Sequence, residues 1–279
     1  MNNTFSFNRF KDLLLKDGKM YIRKFGTSLI VFCCLPAIFW IFNLLFGTET
    51  EGAVRLGFIA IVVAVAMIQA PSKVYGQANL SREGVGFAMM PTSSLEKFIS
   101  MFLYCAIVTP IVAFFGGYLI DAFLSIFPFG GFEKPIHLYT LNEIVRLMND
   151  SEGVVRAGGD LEFPIETVFP VGVIRTGIIL GIIQWAAIFM LGNMLFKKHK
   201  AGKTFACYLG ISYLISMIMG LLFFNRGFME RWINHFGDLP TEQQIMVFHN
   251  GMVWSLVVSI IITGVLLFFT YRKIKTQKY

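Results

Sequence analysis

Long, unbroken apolar runs separated by short polar connections set the pattern of this chain. Six occur, at about 27–47, 53–71, 98–127, 169–196, 204–224 and 251–271. Each is close to or beyond the ~20 residues that a helix needs to cross about 30 Å of hydrocarbon. None shows the period-two alternation over about ten residues that marks a membrane β-strand. Only helices and closed barrels satisfy their own backbone in lipid, so the pattern predicts an all-α polytopic membrane protein. Residues 1–279 are expected to form a single transmembrane domain with six transmembrane helices.

The segment ahead of the first run, "FSFNRFKDLLLKDGKMYIRKF", alternates differently. Phe7, Phe10, Leu13 and Leu14 share one helical face while Arg9, Asp12 and Lys16 lie elsewhere, with Asp12 and Lys16 at a favourable four-residue spacing. This predicts an N-terminal interfacial helix over 1–26, which serves as a basic anchor on the bilayer, as a docking surface for a cytosolic partner, or as both. The first run is followed by "GTETEG" without a small-residue cleavage pattern, and is read as an uncleaved anchor.

Charge orients the six spans. The segments before span 1, between spans 2 and 3, between spans 4 and 5 and after span 6 carry 17 of the 24 Lys and Arg residues but 4 of the 17 Asp and Glu residues. Basic residues near span ends are retained in the cytoplasm, so both termini are expected there. The net charge of +7 is then a topology signal, and nucleic acid is not an expected partner. A composition of 56% hydrophobic residues with 30 Phe agrees with a lipid-facing surface.

Chemistry is sparse inside the runs. Arg55 opens span 2, Asp121 lies near the outer end of span 3 and Arg175 lies a little way into span 4. An unpaired charge in hydrocarbon is costly, so Asp121 is expected to pair with Arg175 or, as the second choice, with Arg55. Small residues recur at four-residue spacing in Gly177 and Gly181, in Ser212, Ser216 and Gly220, and in Ser255, Ser259 and Thr263. Such faces permit close helix packing within one chain or between two. Cys33, Cys34, Cys105 and Cys207 all fall in predicted spans, where packing is the expected role.

No catalytic residues are identified. "KKHKAGKT" ends like a phosphate-binding loop, but Lys197 stands where that loop needs glycine, and the flanks are membrane spans rather than a strand. His235 and His249 lack metal-ligand spacing, so neither a metal nor another cofactor is expected.

Two exported loops remain, at about 128–168 and 225–250. In the first, "TLNE" places Thr140 and Glu143 as a capping box and "RAGGDLEFP" reads as a turn. Its acidic surplus is what topology selection leaves behind, or else an attraction for a cationic substrate. The second mixes Phe228, Trp232, Ile233 and Phe236 with charges and breaks at Gly237 and Pro240. It is expected to lie in, or dip into, the outer interface.

The connection before span 3 is the most structured. In "MMPTSSLEKFISMFL", Pro91 breaks the chain and Ser93 is placed to cap a helix whose Glu96 folds back on it, with Lys97 facing outward. This stretch resembles the "LP-x-S-x-x-E" element on the same loop of permeases in the type-2 ABC exporter superfamily, with Met90 in place of the usual Leu. Those permeases share the six-span layout, cytoplasmic termini, N-terminal interfacial helix and re-entrant segment before span 6. The resemblance implies a permease subunit in the bacterial cytoplasmic membrane, a second permease chain, and a separate ATPase subunit touching Phe7, Phe10, Pro91, Thr92, Ser93, Glu96 and Lys97. Two readings outside that family stand beside it: a membrane scaffold, sensor or assembly protein without transport activity, and an intramembrane enzyme, which has no converging titratable groups to support it. The elbow itself is either a coupling surface or a helix cap worth about 1 kcal/mol.

Overall fold

A computed structural model of the protein describes residues 5–47, 52–80, 84–127, 132, 136, 154–156, 162–164, 171–223 and 239–276. Six of its helices are long and apolar enough to span a membrane: Phe7–Phe46, Val54–Val74, Ser94–Leu124, Gly172–Leu195, Lys200–Leu221 and Ile245–Thr276. The chain is therefore an all-α, multi-pass membrane protein. The described residues also include one short antiparallel ribbon, β1 (Val154–Arg156) and β2 (Glu162–Pro164), in which Arg156 faces Glu162. The residues of the expected turn between these strands lie outside the described residues. The expected Thr140–Glu143 capping box and the Phe228, Trp232, Ile233, His235 and Phe236 segment lie outside the described residues.

The first long helix is built from four pieces. An amphipathic α1 (Phe7–Tyr21) runs through a π turn at Ile22–Gly26 into α2 (Thr27–Cys33) and α3 (Leu35–Phe46). Pro36 has no N–H to continue the ladder, and the break between α2 and α3 falls directly before it. Gly47 ends α3 in the left-handed conformation, φ 61°, which glycine adopts without a Cβ penalty. The exposed side of α1 differs from the one its sequence suggested. Leu13, Asp17 and Tyr21, four residues apart, are buried, whereas Phe7 is 72% exposed and Phe10 half-buried. The apolar stripe is thus split: one edge packs against protein and the other remains open to its surroundings.

After α4 (Gly52–Val74) come a 3-10 turn at Gly76–Asn79, a short α5 (Gly84–Ala88), and α6 (Ser94–Phe102), which continues through a second π turn at Leu103–Val108 into α7 (Thr109–Leu124). Pro110 lacks the donor that a straight helix would need there. Next to it, the Thr109 N–H and Oγ1 both donate to the Tyr104 carbonyl, the hydroxyl at 2.8 Å, which reinforces the π turn. The remaining helices are α8 (Val171–Leu195), α9 (Lys200–Phe223) and α10 (Thr241–Thr276), the last starting at the break expected at Pro240.

The chain divides into two compact units. The first comprises Met1–His137, Ile182–Phe205 and Gly264–Tyr279; the second comprises Leu138–Gly181 and Ala206–Thr263. The core of the first unit gathers Phe25, Ala66, Ala70, Met101, Cys105, Ala113, Met190 and Met194. In the second unit, α9 and α10 present many exposed apolar side chains, among them Leu214, Ile218, Val258 and Ile261, as lipid contact requires.

Close packing in the first unit depends on glycines that the sequence pattern did not single out. A Cβ added at Gly116 would lie 2.5 Å from Cys33 Sγ, and one at Gly117 would lie 3.3 Å from Ile59. Adjacent glycines thus let α2 and α4 both approach α7. A Cβ at Gly192 would overlap the Thr204 side chain, so α8 and α9 also meet closely at their turn. At Gly177, Gly181 and Gly220 an added Cβ meets nothing within 4 Å among the described residues. All four cysteines are free; Cys33 and Cys105 are buried and packed, while Cys34 and Cys207 are exposed.

Gly116→Ala is expected to lower stability by about 1–3 kcal/mol through overpacking. Gly181→Ala should be neutral or should stabilise by about 0.5–1 kcal/mol, as removal of a helical glycine does. Thermal unfolding of the two detergent-solubilised variants checks this, and matching midpoints would mean that α2 and α7 tolerate a methyl between them.

Candidate functional site

The elbow before α6 is held by reciprocal bonds. Ser93 sits in the extended conformation as N-cap, and its Oγ accepts from the Glu96 backbone N–H at 3.2 Å. Glu96 Oε2 accepts in return from the Ser93 N–H at 2.8 Å. This is the expected capping box. Pro91 is exposed ahead of it, and Thr92 is half-buried.

Glu96 does more than cap. Its other oxygen, Oε1, accepts from the Ser6 N–H at 2.8 Å and from Arg9 Nη2 at 3.4 Å. The fully buried carboxylate therefore bridges the start of α1 to the start of α6. From there the two helices run parallel. Tyr104 Oη donates to the Leu14 carbonyl at 2.8 Å, and Ser100 Oγ donates to Asp17 Oδ2 at 2.6 Å. The Tyr21 and Thr109 hydroxyls lie 3.1 Å apart, and the Tyr21 and Tyr104 rings stack at 5.5 Å. Gly18 makes room for this arrangement, because a Cβ there would stand 2.6 Å from the Tyr104 hydroxyl.

Asp17 is the second node. Tyr75 Oη also donates to its Oδ2, at 3.0 Å, which ties the end of α4 to the α1–α6 pair. Burial pushes the Tyr75 phenol well above the ordinary tyrosine range, and the neighbouring Asp17 charge adds to that shift. Tyr75 is thus held neutral as a donor at physiological pH. Sequence reasoning missed this node, although Asp17 stands one turn from both Leu13 and Tyr21 on the stripe that packs.

Lys97 is a correction. It is not outward-facing but 4% exposed, with Nζ donating to the Phe87 carbonyl at 2.7 Å and lying 5.1 Å from the Phe87 ring centroid. The reason is the length of its stem: the turn from α5 folds back over it, and the lysine caps a free carbonyl of that short helix. The side chains left exposed at the elbow are apolar instead, with Met89 at 78% and Leu95 at 42%.

The intramembrane pair is also corrected. Asp121 pairs with Arg55 rather than with Arg175: Arg55 Nη1 stands 3.2 and 3.3 Å from the two carboxylate oxygens, with the pair 5% and 1% exposed. Arg175 is exposed on α8. Antiparallel packing explains the choice. Ile59 rests against Gly117, and one turn further along each helix in opposite senses lie Arg55 and Asp121. Phe132 covers the guanidinium with its ring centroid at 4.2 Å.

Neutralising either member of this pair leaves a buried charge behind. Arg55→Met and Asp121→Asn are each expected to cost about 3–5 kcal/mol, and the double variant substantially less than the sum. A double-mutant cycle by thermal unfolding in detergent measures the coupling; additive losses would show that the two charges act independently. Lys97→Glu should destabilise by about 2–4 kcal/mol, because it sets a buried carboxylate against the Phe87 carbonyl. An unchanged unfolding midpoint for that variant would return Lys97 to the surface.

No protein-family model, curated protein or solved structure matches the chain.

Proposed function

We propose that this chain is the membrane-spanning permease subunit of an ATP-driven exporter, of the type-2 ABC kind, in a bacterial cytoplasmic membrane. In this reading both termini are cytoplasmic, two permease chains form the pathway, and a separate ATPase subunit supplies the energy. The supporting observation is the Glu96 clamp. A surface that transmits force from a cytosolic motor must be stiff and joined to a span, and Glu96 ties the elbow, the start of α1 and the start of α6 through Ser93, Ser6 and Arg9. Lys97 adds α5 to the same body through the Phe87 carbonyl.

The contact surface in this proposal is apolar. Met89, Pro91 and Leu95 are exposed around the cap, and Phe7 is exposed on α1. Ser93, Glu96 and Lys97, all buried, then act by holding that surface in shape, not by touching the partner. Transport chemistry is left to the partner, in keeping with a chain that offers no catalytic motif.

Purification of the tagged chain from its native host in mild detergent tests this. The expected result is co-recovery of an ATP-hydrolysing subunit with the wild-type chain, and loss of that subunit by about 30-fold in affinity for Met89→Asp/Leu95→Asp, which removes apolar contact at about 2 kcal/mol. The substituted side chains are exposed, so folding should survive, as checked by an unchanged unfolding midpoint. Recovery of the wild-type chain without any nucleotide-binding subunit would favour the scaffold reading.

A further inference from the structure

A cavity of about 680 Å³ lies in the first unit, lined by Lys24, Lys73, Lys197, His199 and Lys200 together with the Gly76–Asn79 turn. Its basic groups come from four separate segments: the π turn after α1, the last turn of α4, the connection after α8, and the first turn of α9. Among the described residues no carboxylate side chain lines it.

The site is built, not a chance meeting of surface lysines. The Gly76–Asn79 turn forms its floor and is fixed from beneath, with Asn79 Nδ2 donating to the Met194 carbonyl at 2.8 Å and Asn193 Nδ2 donating to the Tyr75 carbonyl at 3.3 Å. Lys24 Nζ donates to Gln77 Oε1 and Lys200 Nζ donates to the Gly76 carbonyl, so two ammonium groups are drawn onto the same turn from different walls. Lys200 is 8% exposed, yet this bond uses one of the three donors that an ammonium carries. A cation so buried, with no carboxylate beside it among the described residues, suits an anion.

The backbone points the same way. His199, at φ 50°, turns the chain into α9, and the first N–H groups of that 24-residue helix have no carbonyl within the helix to bind. Lys200, Ala201 and Gly202 of that first turn line the cavity, and a Cβ added at Gly202 would meet nothing within 4 Å among the described residues. An uncrowded helix N-terminus flanked by lysines suits phosphate oxygens. Depth selects the source. The apolar stretches of α4 and α8 end here and that of α9 begins here, which places the cavity at the level of lipid headgroups.

We infer that this cavity binds the phosphate group of an anionic glycerophospholipid headgroup, held by Lys73, Lys197, His199 and Lys200 and by the N-terminus of α9. The site is independent of the exporter reading and would serve a scaffold equally well. Its volume falls in the range of about 300–1,000 Å³ common for small-molecule sites. The bound diester offsets part of the cluster's positive charge and staples the ends of α4, α8 and α9 to one leaflet.

The test uses the full chain, delipidated in neutral detergent. Native mass spectrometry with titrated phosphatidylglycerol or phosphatidylcholine reads retention, and unfolding midpoints read stabilisation. Lys73 and Lys197 are exposed, so Lys73→Gln/Lys197→Gln should fold; Lys11→Gln/Lys275→Gln removes equal charge elsewhere as a control. The wild-type protein should retain phosphatidylglycerol over phosphatidylcholine, the cavity pair should lose roughly 30-fold of that affinity, and the control should stay within about twofold. Equal retention of both lipids by the wild-type chain, or equal loss in the control, would overturn the site. Full stabilisation by millimolar inorganic phosphate alone, with displacement of phosphatidylglycerol, would overturn the lipid as occupant and assign the cavity to a soluble phosphate. If the cavity pair folds poorly, Lys197→Gln alone, on the exposed connection, carries the comparison.

Discussion

The carboxylate of Glu96 is the point at which three backbone segments are made to agree. One oxygen closes the turn that starts α6 while the other accepts from Ser6 and Arg9 at the start of α1. Once those two helix starts are side by side, the sequence offset between hydrogen-bonded partners stays between 83 and 90, from Ser6 through Leu14 and Asp17 to Tyr21. A nearly constant offset is the mark of two helices running in parallel. The Tyr21, Tyr104 and Thr109 contacts depend on that alignment. So does the node at Asp17, which adds the end of α4.

The six spans and the capped elbow could be read from the chain because each rests on a local signal: an apolar run, or Ser93 with Glu96 three residues on. Partner choice could not. Asp121 was expected to find Arg175, since depth alone admits both arginines; only the antiparallel contact between Ile59 and Gly117 decides for Arg55. Lys97 had the look of a surface charge in one dimension, and the fold of α5 over it could not be foreseen from its neighbours. The glycines make the same point. Regular spacing drew notice to Gly177, Gly181 and Gly220, whereas the tight contacts fall at Gly18, Gly116, Gly117 and Gly192.

The lysine-rich connection at 197–203 shows how a rejected motif can keep its chemistry. It lacks the glycine and the strand of a nucleotide-binding loop, yet its helix N-terminus and lysines face a cavity completed by residues distant in the chain. The fixed side of that cavity is polar and backbone-bonded, through Asn79 and Asn193. Electrostatics there are organised by tertiary packing, which no linear spacing encodes.

The pairing of Arg55 with Asp121 also bears on how the chain enters the bilayer. Translation runs from the N-terminus, so Arg55 is made 66 residues before its counter-charge. During that interval a lone guanidinium in the first turn of span 2 resists residence in lipid. The second and third spans therefore gain most by leaving the insertion machinery together as a helical hairpin, with the charge neutralised before either helix is released. A contact that holds the finished fold thus also favours joint insertion of the two helices that carry it.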